Sequence, residues 1–151
     1  MTLIQYFSIS VLVAIAIFIG AYVAKNSDEE LKVGSKHIRV LTLILAYVIL
    51  FLTVSKISSN IILSSFIPTI IIALILLVPK NVRSYAMIAI VAAAISFMLK
   101  KDVNYVVSSI VFIQMLCIGA MTYYLEKREL LRSLLVKAAI LLAILAIAYF
   151  V

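Results

Sequence analysis

Polar side chains are rare inside the long apolar segments of this chain, and the few that occur there are its candidate functional residues. Hydroxyl and amide groups can form hydrogen bonds with a neutral solute or with a neighbouring helix, and a proline inside a helix frees a carbonyl group. One interpretation is that these residues line a single polar cavity; the alternative is that they stabilise helix packing and that the proline is an ordinary kink. Six residues are candidates for this lining: Tyr47, Ser64, Ser65, Pro68, Thr69 and Gln114.

Charged and reactive residues near the apolar segments indicate surface or packing roles. Lys137 lies one turn inside the last segment, so we expect its side chain to extend to the lipid headgroups. His37 precedes the second segment, where a single histidine is expected to be solvated. Cys117 is the only cysteine, which excludes an intrachain disulfide and a cysteine-based metal site.

The residue types that most enzymes and ion-coupled transporters need are missing from the apolar segments. No Asp, Glu or His lies deep inside any of them, and the two aspartates, Asp28 and Asp102, fall between segments. Proton-coupled transport, proteolysis by paired aspartates and metal binding all depend on such groups. We therefore expect no enzymatic activity and no catalytic, cofactor or metal site.

The composition predicts that lipid is the solvent of this chain. Hydrophobic residues make up 67% of its 151 residues and charged residues only 13%, against about 45–50% and about 25% in soluble domains. The apolar runs are unbroken, as in residues 70–78, whereas the strands of a membrane barrel alternate in hydrophobicity. Unbroken runs of about 20 residues favour helices that cross a hydrocarbon layer about 30 Å thick.

Six apolar segments account for nearly the whole chain. The sequence therefore predicts an all-α polytopic membrane protein, with six transmembrane helices arranged as three antiparallel hairpins in one bundle. Residues 1–151 are expected to form a single transmembrane domain. Its predicted spans are approximately residues 3–24, 38–55, 61–78, 84–99, 105–124 and 134–151.

The distribution of basic residues predicts the orientation in the membrane. Ten of the thirteen Lys and Arg residues fall in or beside the loops 25–37, 79–83 and 125–133. Short loops rich in Lys and Arg remain in the cytoplasm. We therefore expect a multi-pass protein of the cell membrane with these three loops cytoplasmic and both termini outside.

Two of these loops carry helix signals. Ser27 and Glu30 fit a capping box, which predicts a short surface helix that ends at Gly34. The loop before the last segment contains no Gly or Pro, and the spacing of Glu129 and Arg132 suits an ion pair on a helix. We therefore expect the fifth helix to continue past the membrane before the chain turns.

Small residues recur one helical turn apart, a spacing that allows the backbones of two helices to approach closely. Such pairs are Ala16 and Gly20, Ala89 and Ala93, and Ala139 and Ala143. A shift of 99 residues also aligns residues 19–21 with residues 118–120, which are Ile-Gly-Ala in both places. The match suggests a parallel repeat of the first hairpin in the third, and chance agreement between apolar sequences is the alternative.

No motif in the chain identifies a reaction or a transported solute. Lipid-compatible surfaces and small-residue contacts favour a subunit or accessory of a membrane assembly. The Pro68 kink, the nearby hydroxyl groups, Gln114 and Tyr47 support the alternative, a facilitative transporter or channel for a small neutral or lipid-like molecule. Expected partners are anionic lipid headgroups at the basic loops, and a protein partner or a second copy at the small-residue faces. A nucleic-acid partner is not expected, because no soluble surface remains to bind one.

Overall fold

In the computed structural model, all regular structure within the described residues, which are 3–58, 60–79, 85–94 and 105–150, is helical. This confirms the predicted all-helical class for that part of the chain. Most of the predicted loop 79–83 and the end of the predicted span 84–99 lie outside the described residues. The helices are α1 (Leu3–Asn26), α2 (Asp28–Ile57), α3 (Ile61–Leu77), α4 (Tyr85–Ala94), α5 (Tyr105–Leu125) and α6 (Leu130–Phe150).

Four of these helices, α1, α2, α5 and α6, are long and apolar enough to cross a membrane. Helix α3 is as apolar but has only 17 residues, and its start is fixed by Asn60, whose Oδ1 accepts a hydrogen bond of 3.0 Å from the Ile62 N–H. It packs against α2 and buries only Ser64, Pro68 and Ile75, so it lies at the edge of the bundle.

Helix α2 runs without a break from Asp28 to Ile57, so the predicted stop at Gly34 is wrong. A glycine ends a helix by adopting a positive φ, and none of the three glycines, all of which lie in described helices, does so. The Ser27 side chain also makes no capping hydrogen bond with a described residue. A helix of 30 residues is about 45 Å long, so the first turns of α2 extend beyond its apolar part.

Helix α5 ends at Leu125, so the predicted continuation of this helix past the membrane is also wrong. The chain leaves the helix at Glu126, forms a 3₁₀ turn over Lys127–Glu129 and enters α6. The predicted ion pair of Glu129 and Arg132 is confirmed, with 3.9 Å between Oε2 and Nη1. The break turns the Glu126 carboxylate toward α6.

The most extensive helix contact joins α1 and α5, which run parallel and touch at two glycines. A Cβ atom on Gly20 would clash with the carbonyl oxygen of Leu116, and one on Gly119 would clash with the carbonyl oxygen of Ile17. Leu116 follows Ile17 by 99 residues, and Gly119 follows Gly20 by the same number. The contact is therefore symmetric under the shift that aligns the two sequence segments.

Helices α2 and α6 pack on opposite members of this central pair. On α2, Thr42 Oγ1 lies 3.6 Å from the Met121 Sδ of α5. On α1, the Tyr6 hydroxyl donates a hydrogen bond of 2.8 Å to the Leu145 carbonyl of α6, and the rings of Tyr6 and Tyr149 are 4.9 Å apart. Helix α2 therefore packs more on α5 than on α1, and α6 packs more on α1 than on α5. Helices α1 and α2 share little contact.

Replacing either glycine of the central contact should separate α1 from α5. We expect Gly20→Ala to lower the free energy of unfolding by about 1–3 kcal/mol, the usual cost of overpacking a core. Gly34→Ala is the matched control, because nothing lies within 4 Å of its Cβ position and alanine favours a helix by about 1 kcal/mol. Reversible denaturation of the purified variants in detergent measures both changes. A stability of Gly20→Ala at or above that of the parent chain would contradict the backbone contact.

Candidate functional site

A cluster of polar side chains is buried where α5 turns into α6. The Lys137 side chain is fully buried, and its Nζ donates hydrogen bonds to Thr122 Oγ1 (2.9 Å) and to Glu126 Oε1 (3.0 Å). The prediction that Lys137 extends to the lipid headgroups is therefore wrong. The side chain does point toward the end of the bundle, but its ammonium group binds a carboxylate of the same chain.

Helix α4 supplies a third side to this cluster. The centroid of the Tyr85 ring lies 4.9 Å from Lys137 Nζ, a distance suited to a cation–π contact. The Tyr85 hydroxyl lies 3.5 Å from the Oγ of Ser133, which is buried on α6. The ammonium group is thus surrounded by a hydroxyl group, a carboxylate and an aromatic face, which accommodates its three N–H donors.

The hydrogen-bond acceptors of this cluster hold the lysine ammonium group in one position. The Thr122 hydroxyl donates to the Ile118 carbonyl (2.8 Å), which leaves its oxygen free to accept from Lys137. The ammonium group also lies beside the last turn of α5, where helix carbonyl groups carry partial negative charge. Because Nζ is held by a carboxylate, this lysine is arranged for charge pairing, and it joins α4, α5 and α6.

Four of the six predicted site residues lie together on α3. The hydroxyl groups of Ser64, Ser65 and Thr69 donate to carbonyl groups about one turn earlier in the same helix, at 2.8–3.2 Å. Ser64 and Pro68 are buried, whereas Thr69 is exposed. These hydroxyl groups are therefore satisfied locally, beside the carbonyl that the proline leaves without a donor.

The other two predicted residues lie on different helices. Tyr47 is half-buried on α2, with its ring stacked 6.4 Å from that of Phe51. Gln114 is fully buried on α5, and neither Nε2 nor Oε1 has a hydrogen-bond partner within the described ranges. Both residues thus lie on helices other than the one that carries the hydroxyl groups, and a shared cavity lining stays a prediction.

A separate groove of about 410 Å³ opens where α1 and α5 move apart, away from the glycine contact. Its lining is largely apolar and includes Ile9 and Val13 of α1 and Ser109, Phe112 and Ile113 of α5. None of the six predicted residues lines this groove. The pairing of Ile9 and Val13 with residues near position 110 also shows that α1 and α5 run parallel.

Neither metal ligands within the described ranges nor known proteins indicate a function for this chain. In the part of the chain that the structure describes, no group of three or more His, Cys, Asp or Glu side chains could hold a metal ion. No protein-family model, curated protein or solved structure matches the chain.

The Lys137 cluster was not predicted from the sequence because its members, Tyr85, Thr122, Glu126 and Lys137, are far apart along the chain. Only Lys137 is recognisable by itself, as a charged residue inside an apolar segment. A usable signal was present. Thr122 and Glu126 are four residues apart at the end of one apolar segment, and Lys137 lies one turn inside the next. A short turn between two such helices brings these positions face to face.

Breaking the buried pair should cost far more than breaking the exposed one. We expect Glu126→Gln to lower the free energy of unfolding by about 3 kcal/mol, because it leaves a buried ammonium group without its carboxylate. The control is Glu129→Gln, whose partner Arg132 is exposed, and its effect should stay within about 0.5 kcal/mol. Adding Lys137→Met to Glu126→Gln should recover most of the loss. Equal losses for the two glutamine variants in detergent denaturation would contradict the burial of Lys137.

Proposed function

We propose that this chain is a multi-pass protein of the cell membrane that works as a subunit or accessory of a larger membrane assembly. The membrane assignment is supported by the four long apolar helices and by the large side chains that they leave uncovered, such as Ile4 and Ile147. In water such a surface would aggregate, whereas lipid or a partner helix accommodates it. The proposal includes no enzymatic activity.

The observation that carries the assembly proposal is an uncovered pair of small residues on α6. The pair on α1 already packs within the chain, because Ala16 is fully buried and Gly20 contacts α5. Ala139 and Ala143, by contrast, are exposed on α6. Close backbone packing drives helix association in lipid, so this face is suited to a helix from another chain.

In this proposal α3 and α4 also cross the membrane, which gives six spans in three hairpins. The segments 25–37, 79–83 and 125–133, which include the first turns of α2 and α6, then face the cytoplasm. Support comes from the parallel α1 and α5, since their following turns lie at the same end of the bundle. Exposed basic residues of both turns collect there, whereas Lys56 lies at the other end of α2. The collected residues are Lys25, Lys36, Arg39, Lys127, Arg128 and Arg132.

Filling the small-residue face of α6 should weaken association without unfolding the chain. We expect the double substitution Ala139→Leu and Ala143→Leu to dissociate the complex that gently extracted protein forms, as read by native mass spectrometry. Ala73→Leu is the matched control, because Ala73 is also an exposed alanine of an apolar helix. Loss of the complex in both variants, or in neither, would contradict a contact at this face.

One observation favours the alternative, a facilitative pathway for a small neutral or lipid-like molecule. Gln114 is a fully buried amide that none of the described groups satisfies, and such a group normally has a partner. A neutral solute with a hydroxyl or amide group could supply that partner. The groove between α1 and α5 gives lipid-like molecules a second place to bind.

The substitution Gln114→Leu distinguishes the assembly proposal from the pathway proposal. Removing an unsatisfied buried amide should raise the free energy of unfolding by about 1–3 kcal/mol, since leucine has a similar volume. For the pathway, glycerol should enter vesicles containing the parent chain faster than protein-free vesicles, and Gln114→Leu should abolish the difference. The rate of glycerol entry is measured as the rate of vesicle swelling, followed by light scattering. Equal rates for parent and protein-free vesicles would exclude a glycerol pathway and leave the assembly proposal intact.

A further inference from the structure

We propose that a groove between α2 and α5 binds the headgroup of an anionic phospholipid, with Arg39 contacting its phosphate. The groove lies at the end of the bundle that carries the α1–α2 and α5–α6 turns. The groove is shallow, with a volume of only about 10 Å³, so the headgroup would lie over it on the surface of the helices. Its lining includes Ile38 and Arg39 of α2 and Met121, Tyr124 and Leu125 of α5. This inference rests on the membrane placement proposed above and names a specific lipid partner for one site.

The chemistry of the lining suits an amphipathic anion. Arg39 is exposed, and a guanidinium group binds a phosphate through two parallel N–H donors. Tyr124, which is 43% exposed, lines the same groove, and a phenol hydroxyl can donate a further hydrogen bond to a phosphate. Ile38, Met121 and Leu125 provide apolar surface beside these polar groups, against which the upper part of an acyl chain can pack.

The groove also lies at the depth where lipid headgroups are found. The uncharged apolar run of α2 begins at Val40, directly after Arg39, and that of α5 ends at Leu125, directly before Glu126. Both boundaries fall at the groove, so its polar groups meet the edge of the hydrocarbon layer. Basic pockets between helices at this level are typical binding sites for anionic headgroups.

The nearby carboxylates do not cancel the charge of this groove. Glu126 is paired with Lys137, and Glu129 is paired with Arg132. The acidic residues 28–30 lie nine to eleven positions before Arg39 on the unbroken α2, roughly 13–17 Å away along the helix axis. That distance exceeds the screening length of about 8–10 Å at physiological ionic strength.

The test compares two arginines at the same end of the bundle. The full chain is purified in detergent and titrated with phosphatidylglycerol or with phosphatidylcholine of the same acyl chains, and native mass spectrometry counts bound lipids. Arg39→Gln removes the proposed phosphate contact. Arg128→Gln is the matched control, because Arg128 is exposed, carries the same charge and does not line the groove.

We expect the parent chain to bind its first phosphatidylglycerol at least fivefold more tightly than phosphatidylcholine. Arg39→Gln should lower the affinity for phosphatidylglycerol about fivefold, the factor that corresponds to about 1 kcal/mol for one basic residue near a membrane surface. Arg128→Gln should change it less than twofold. Arg39→Lys should fall between Arg39→Gln and the parent, because it keeps the charge but loses the paired donors.

Three results would overturn the proposal. The first is equal affinity of the parent chain for the two lipids, and the second is an equal loss in Arg39→Gln and Arg128→Gln, which would indicate diffuse attraction. The third is displacement of phosphatidylglycerol by millimolar inorganic phosphate, which would indicate a site for free anions. Flotation of each variant with phosphatidylcholine vesicles reports membrane insertion separately, so a failure of the lipid site is distinguishable from a failure of the proposed membrane placement.

Discussion

The backbone contact between α1 and α5 at Gly20 and Gly119 is the constraint on which the rest of this structure depends. Lipid gives apolar side chains little reason to prefer each other over the hydrocarbon, so helices associate where their backbones can approach closely. Two glycines that each face a carbonyl group of the other helix provide such a place. Because α1 and α5 are parallel, the turns that follow them lie at the same end of the bundle. The collection of basic residues at that end follows from this contact.

The same end of the bundle uses its charges in two different ways. Lys137 is buried and takes Glu126 as its partner, which ties α6 to the last turn of α5. Arg39 remains exposed beside an apolar groove, so its charge is available to a ligand. The pair is neutral, so it leaves the net charge of this end unchanged, but it occupies a carboxylate that could otherwise pair with an exposed basic residue. Burial thus gives Lys137 a structural role, whereas exposure leaves Arg39 available for the proposed lipid contact.

The helical class and the approximate ends of most described helices could be predicted, because an unbroken apolar run of about 20 residues has few other stable forms in lipid. The predicted span 61–78 and the observed helix Ile61–Leu77 illustrate this agreement. Gly34 was misread because a glycine ends a helix only where the chain adopts a positive φ, which a single sequence does not specify. Lys137 was misread because its partner lies eleven residues away across a turn. Hydropathy along the sequence indicates which residues leave water, but the partners of buried polar groups depend on the packing of separate helices.

The most direct test of the central contact is a distance between spin labels at opposite ends of α1 and α5. Labels would replace Ile4 and Leu125, both exposed, in a chain that carries Cys117→Ser and is reconstituted in lipid nanodiscs. With α1 and α5 parallel and in the register of the glycine contact, the labelled positions are about 22 residues apart along the common axis, or roughly 30–35 Å. Pulsed electron paramagnetic resonance resolves that range. A distance distribution centred there would support the parallel pair, whereas one centred below about 20 Å, within the reach of an antiparallel arrangement, would contradict it.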